Sequence, residues 1–182
     1  MSIFGVVSIM VILVSVAVIV LHNRIMKRRT PVDLYKIELE ELLRHQLEML
    51  YFVSPIGTAL HDLCNECIDL ELDGILKSMP DITSAQEAAL NAGELKISNP
   101  YKSSIENEPE SAKDIAIEGI SINTLDDSAQ AISTSAQSLI QALEAYNGFI
   151  TRSYTEVLMA KMLGMETEET LAQDLHVLVQ SL

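Results

Sequence analysis

The sequence contains no tryptophan, and aromatic residues make up only 4% of its 182 residues. Glycine is also scarce, with seven in the whole chain, whereas alanine, leucine and glutamate are abundant. Strands favour aromatic and β-branched side chains, and helices favour alanine and unbranched side chains. The composition therefore predicts helices rather than sheets.

Motifs that mark common catalytic sites are missing as well. The chain has no glycine-rich phosphate loop, no Gly-x-Ser-x-Gly turn and no His-Glu-x-x-His pair. Carboxylates are plentiful, but an enzyme that used the acidic stripe from Asp62 to Asp73 would need a second set of converging polar residues, which the sequence does not show. We therefore expect no enzymatic activity, no cofactor and no small-molecule substrate.

Charge of either sign is absent from the start of the chain, since the first basic residue is Arg24 and the first acidic one is Asp33. From Thr30 onward, 26 acidic residues face 8 basic ones, a net charge of −18. Nucleic acid and anionic lipid headgroups repel such a surface, so we expect no nucleic-acid partner. The other four basic residues form what we call the cationic collar: Arg24, Lys27, Arg28 and Arg29.

An uncharged apolar run covers residues 3–21 and ends just before this collar. About 20 apolar residues in a helix match the roughly 30 Å hydrocarbon core of a bilayer. A signal peptide would carry a basic residue before the run and a small-residue cleavage site after it, and a core helix would carry a polar stripe. We therefore predict a transmembrane anchor over residues 1–22. Because the basic residues all follow the run, we expect the N-terminus outside and the rest in the cytoplasm, at the plasma (inner) membrane.

Apolar side chains recur at helical spacing through most of the remaining chain. The fold class that we predict is all-α, with a single N-terminal transmembrane helix followed by an antiparallel four-helix-type bundle. The bundle occupies residues 23–165, with an irregular loop region at 97–126, and residues 166–182 form a C-terminal amphipathic helix. The first two predicted helices run from Val32 to the Ser54-Pro55 stop and from Ile56 to Ser78. After a turn at Pro80-Asp81, a third helix runs from Ser84 to Lys96. The fourth runs from about 126–128 to Leu163, with Gly164 as its cap, and the last runs from Thr167 to Leu182.

The anchor and the first bundle helix are expected to form one near-continuous element, interrupted at most at Thr30-Pro31. The C-terminal helix carries leucines on one face, which must be covered. Docking on the chain's own bundle is favoured, and a protein partner or a second copy of the chain is the alternative. The long apolar stripes of the 126–163 helix and of this tail also suggest self-association.

One cluster could bind a metal. His61, Cys64 and Cys67 recur at i, i+3 and i+6, and all three side chains are potential zinc ligands. A single straight helix rarely supplies three ligands, and the fourth would have to be His45 or His176. Buried cysteines that act as small apolar residues are the favoured interpretation. A metal-binding or redox-sensing membrane protein built on these three residues remains the alternative function.

Two stretches resemble the LemA family. The first is His22-Asn23-Arg24-Ile25-Met26 with Arg29, Val32-Asp33, Leu39 and Leu43-Arg44-His45, and the second is Ala145-Tyr146-Asn147 with Ile150, Tyr154-Thr155, Leu158, Ala160 and Leu163-Gly164-Met165. The chain departs from the family pattern at Tyr51-Phe52 and at Thr155. The resemblance implies a membrane-anchored helical bundle without established enzymatic activity, in which the shared residues serve structure. We therefore expect a scaffold or interaction module, with the lipid bilayer and a protein partner or homo-oligomer as its contacts.

Overall fold

A computed structural model describes residues 3–95 and 122–181 of the chain. These residues form six helices and no strand. The helices are α1 (Ile3–Val53), α2 (Ala59–Cys67), α3 (Leu72–Ala92), α4 (Ile122–Ile150), α5 (Tyr154–Met162) and α6 (Glu169–Ser181).

The longest element is α1, which continues through Pro31 as one helix of 51 residues. The expectation of a near-continuous element is therefore confirmed. Pro31 lacks an N–H group, but it lies on the exposed side of the helix, where water can solvate the carbonyl that loses its donor. Next to it, the Thr30 hydroxyl donates to the Met26 carbonyl at 2.9 Å.

The two halves of α1 differ sharply in burial. Residues 6–20 are all exposed, whereas Ile25 is fully buried and begins a stripe of buried side chains that continues to Val53. In the described part of the chain, α1 is the one helix that is long and apolar enough to cross a membrane. Its most apolar stretch has no cover from the rest of the protein.

The buried half of α1 packs antiparallel to α4. Tyr146, near the end of α4, contacts Arg29 near the start of this half, and Gln130 lies beside Leu42 further along. Both helices contribute leucine and isoleucine side chains to one core, and each such side chain stabilises the fold by about 1.5–3 kcal/mol when it leaves water. The fully buried members of this core from the two helices include Leu39, Leu43, Leu47, Ile132, Leu139 and Leu143.

The C-terminal helix α6 packs against α3 and α4. Its leucines Leu171, Leu175 and Leu178 are buried there, so this stripe docks on the chain's own helices. Leu182, the last leucine of the predicted stripe, lies outside the described residues.

The single helix predicted over residues 56–78 is wrong, because the structure has two helices with a break at residues 68–71. Arg44 of α1 stabilises this break. Its guanidinium donates to the carbonyls of Ile68 and Leu70, the second at 3.1 Å, and pairs with Glu40 at 2.8 Å. A cation beside the last carbonyls of α2 also interacts favourably with the negative end of the helix dipole.

The predicted turn at Pro80-Asp81 and the helix start at Ser84 are also wrong, since α3 continues through both. Pro80 points to solvent, while Met79 and Ile82 on either side of it are buried, so the apolar face of the helix is unbroken. The Thr83 hydroxyl donates to the Met79 carbonyl one turn back at 2.9 Å instead of capping a new helix.

The long helix predicted to reach Leu163 is interrupted at residues 151–153. Ser153 caps α5, since its hydroxyl accepts from the Glu156 N–H at 3.4 Å and donates to the Glu156 carboxylate at 2.9 Å. Gly164 ends α5 with a φ of 65°, which confirms its predicted capping role. The expected loop at 97–126 lies largely outside the described residues, but its last five residues belong to α4.

Candidate functional site

The three residues of the metal-binding alternative, His61, Cys64 and Cys67, do not form a metal-binding group. Cys64 and Cys67 are buried free thiols in the core, whereas the half-buried His61 ring stacks on Tyr51 with ring centroids 4.2 Å apart. The His61 Nδ1 lies 3.3 Å from the Tyr51 carbonyl oxygen, which can only accept, so this hydrogen bond requires the proton on Nδ1. The His61 side chain is therefore engaged with the end of α1.

The Cys64 thiol is in an environment that disfavours its charged form. Burial, together with the neighbouring Cys67, raises the pKa of Cys64 to about 12. A metal ligand or a redox-active cysteine must be a thiolate, which needs the opposite shift. His45 and His176, the possible fourth ligands, are exposed, and no three His, Cys, Asp or Glu side chains within residues 3–95 and 122–181 are grouped as a metal site requires.

The acidic stripe does not form a site either. Asp62 and Glu66 lie on α2, Asp69 lies in the break and Asp73 lies in the first turn of α3. All four side chains are exposed. Because the helix is broken between them, they do not share one straight face, and solvated carboxylates are the reading that fits best.

Polar side chains meet instead where α1, α4 and the α5–α6 connection come together. We call this group the polar junction; its members are Arg29, Asp33, Lys36, Tyr146, Asn147, Glu166 and Glu168. The Tyr146 hydroxyl lies 3.5 Å from the Glu166 carbonyl oxygen, and the Asn147 Oδ1 accepts from the Glu168 N–H at 3.2 Å. These two bonds tie the end of α4 to the segment that leads into α6.

Charged side chains of α1 complete the polar junction. Lys36 forms an ion pair with Glu168, and Arg29 lies 3.6 Å from Asp33 and close to Tyr146. Burial raises the pKa of Tyr146, against the lowering effect of the nearby Arg29 cation. The phenol therefore stays neutral and can donate its hydrogen bond. These hydrogen bonds and the ion pair hold α1, α4 and the segment before α6 together.

Tyr146-Asn147 is a polar pair near the apolar stripe of the predicted 126–163 helix, and from the sequence an exposed asparagine is favoured over a buried one that fixes register. The structure corrects this, since Asn147 is half-buried and hydrogen-bonded. It also adds Lys36 and Glu168, whose pairing has no signal in the sequence because they are distant along the chain and Glu168 lies in the connection before α6.

The cationic collar divides into two parts. Arg24, Lys27 and Arg28 are exposed and line a shallow groove with Pro31 and Phe149, whereas Arg29 is half-buried and turned toward the polar junction. Three cationic side chains are therefore exposed to solvent directly after the apolar segment. Guanidinium and ammonium groups in such an arrangement can bind phosphate.

Fold and site together define an all-helical protein with one long, apolar N-terminal helix. Comparisons with protein-family models, with curated proteins and with solved structures find no match to this chain. The LemA resemblance accordingly stands on its sequence motifs alone.

Proposed function

We propose that the chain is a single-pass membrane protein of LemA type, whose apolar N-terminal segment anchors an acidic, cytoplasmic four-helix-type bundle that acts as a scaffold or interaction module. The role is non-enzymatic. The membrane is the plasma (inner) membrane, with the N-terminus outside.

The observation that carries the anchor is the exposure of residues 6–20 on the same helix that supplies the core from Ile25 onward. A core helix would bury these side chains, and so many adjacent exposed valines and isoleucines are costly in water. A cleaved signal peptide fits poorly, because no small-residue cleavage site follows the apolar run. The apolar segment is therefore best accounted for as lipid-facing.

Support for the orientation comes from the exposed collar residues Arg24, Lys27 and Arg28, which lie next to the end of the apolar segment. Basic residues near the end of a transmembrane helix favour the cytoplasmic side, and acidic residues contribute little to this choice. The strongly acidic remainder is held away from anionic lipid, with the collar as the phosphate-binding contact.

Support for an interaction role comes from α1 beyond the collar. Leu34 and Ile37 lie one turn apart on α1, and both are exposed. They could contact a protein partner or a second copy of the chain. A photocrosslinker at Ile37 in intact membranes should yield a discrete adduct, and a crosslinker at the exposed Glu48 of the same helix is the control. Recovery of uncrosslinked monomer alone at Ile37 would contradict the scaffold role.

The orientation is tested with a C-terminal topology reporter on the full chain. We expect a cytoplasmic signal, and a loss of orientation when Arg24, Lys27 and Arg28 are all changed to Glu. The control changes three exposed residues far from the apolar segment in sequence, namely Lys77→Glu, Asn91→Glu and Gln130→Glu. An external C-terminus in the unaltered chain would overturn the orientation.

A further inference from the structure

Helix α5 is apolar on two sides. Its inner side buries Met159 and Ala160 against the rest of the protein. Its outer side carries Tyr154, Leu158 and Met162, which recur every fourth residue and are 81%, 47% and 73% exposed. Residues spaced this way share one face of a helix. A helix with apolar residues on both sides needs a second apolar environment.

The position of α5 indicates what this environment is. In the antiparallel pair, Tyr146 of α4 lies beside Arg29 of α1, so the end of α4 at Ile150 lies about level with Ile25. The chain then enters α5, which contacts α1. Phe149 shares a groove with the collar residues Arg24 and Lys27. Helix α5 therefore lies beside the end of the apolar segment, at the level of the collar.

The charge of this region also differs from that of the rest of the chain. Residues 149–165 contain one acidic residue, Glu156, and two basic ones, Arg152 and Lys161. Glu156 is half-buried and hydrogen-bonded to Ser153, whereas both basic side chains are exposed. With the collar nearby, the local surface is cationic and suits anionic headgroups.

We propose that α5 is an interfacial helix, which places Tyr154, Leu158 and Met162 in the headgroup–acyl boundary of the bilayer beside the anchor. This inference rests on the proposed anchor and deepens it. Interfacial helices lie in the plane of the membrane surface, with an apolar face buried about 5–10 Å deep and basic residues on the polar side. Tyrosine suits this depth because its ring is apolar and its hydroxyl is polar. The chain would thus contact the membrane at two points, and its orientation on the surface would be fixed.

The absence of tryptophan permits a direct test, because one substitution introduces a single tryptophan whose fluorescence can be followed. Three variants of the full chain are placed in two sets of vesicles of phosphatidylcholine and phosphatidylglycerol, one brominated near the carbonyl end of the acyl chains and one near the methyl end. Leu158→Trp tests α5. Leu13→Trp reports on the anchor. Phe52→Trp, which is exposed at the far end of α1 and roughly 40 Å from Ile25, is the aqueous control.

We expect the lipid brominated near the carbonyl end to quench Leu158→Trp, and the lipid brominated near the methyl end to quench Leu13→Trp, each about twofold or more. Neither lipid should quench Phe52→Trp. Quenching of Leu13→Trp alone would overturn the interfacial helix and leave the anchor standing. Quenching of none would overturn both. A blue-shifted but unquenched Leu158→Trp would assign the face to a protein contact and also overturn the proposal. Met162→Trp is a second probe of the same face if Leu158→Trp disturbs folding.

Discussion

The side-chain oxygen of Asn147 accepts a hydrogen bond at 3.2 Å from the backbone N–H of Glu168. This bond joins the end of α4 to the residue before α6, and the Glu168 carboxylate in turn pairs with Lys36 of α1. One asparagine thereby links three helices. The polar junction thus determines where the C-terminal helix enters the fold.

We expect Asn147→Ala to lower the free energy of unfolding by about 1–2 kcal/mol, because a partly buried N–H group loses its acceptor. Urea unfolding of the full chain in detergent, followed by circular dichroism, measures the change. Gln141→Ala, an exposed site on the same helix, is the control and should change stability by less than about 0.5 kcal/mol. Equal changes in the free energy of unfolding for the two variants would contradict the linking role of Asn147.

In contrast to Asn147, the buried Ser135 hydroxyl of α4 has no hydrogen-bond partner among the described residues. We expect Ser135→Ala to raise the free energy of unfolding by about 1 kcal/mol, because an unsatisfied buried hydroxyl is removed. The matched control is Ser138→Ala, whose hydroxyl is bonded to the Thr134 carbonyl at 3.0 Å. Both changes carry the same gain in helix propensity, so the difference between them isolates the unpaired group. A Ser135 variant no more stable than the control would indicate that the hydroxyl has a partner.

Removal of the Ser153 cap should destabilise α5 and leave the rest of the fold little changed. Ser153→Ala removes the hydroxyl that accepts the Glu156 N–H, which costs a helix start about 1 kcal/mol. We expect roughly fivefold faster hydrogen exchange in the amides of α5 and little change in α4. Lys161→Ala, an exposed site in the same helix, is the control. Unchanged exchange in α5 would mean that α4 and α5 are continuous, as the sequence alone suggested.

Because Cys64 and Cys67 are buried, we predict that thiol reagents modify them slowly in the folded chain. With burial and Cys67 raising the pKa of Cys64 to about 12, almost none of it is thiolate at pH 8. We expect both thiols to resist a disulfide reagent in the folded chain and to react in full in urea. Since the folded pKa lies above the ordinary value of 9.0, the stability gained from the neutral thiol is present below pH 9 and is lost as pH rises toward 12. Fast native labelling, or protection that appears only with added zinc, would revive the metal-binding alternative.

The sequence predicted the long amphipathic helices well, but it predicted the breaks between helices poorly. The end of α1 before Ser54-Pro55 and the Gly164 cap were read correctly, because proline and glycine act on the backbone locally. Pro80 was misread, because an exposed proline costs a long helix one hydrogen bond while the buried residues on either side hold it together. The break after Cys67 depends on Arg44, which is remote in sequence and gives no local signal.

The break before α5 had a local signal that the apolar stripe concealed. Ser153-Tyr154-Thr155-Glu156 has the Ser-x-x-Glu spacing of a capping box, but Ile150, Tyr154 and Val157 continue the helical period across it. The polar junction was predictable only in part. Tyr146-Asn147 could be singled out, whereas its partners depend on how α6 returns to α1.

The anchor is tested most directly by alkaline extraction of membranes that contain the full chain. The key variant is Val11→Arg with Val14→Arg, two exposed sites whose change leaves the packed helices untouched, while each arginine costs about 2.5–3.5 kcal/mol at the centre of a spanning helix. The matched control is Leu34→Arg with Ile37→Arg, which adds the same charge at exposed sites of the same helix. We predict that the unaltered chain and the control stay in the membrane pellet and that the Val11/Val14 variant is released. Release of the unaltered chain, or equal behaviour of the two double variants, would contradict the membrane anchor.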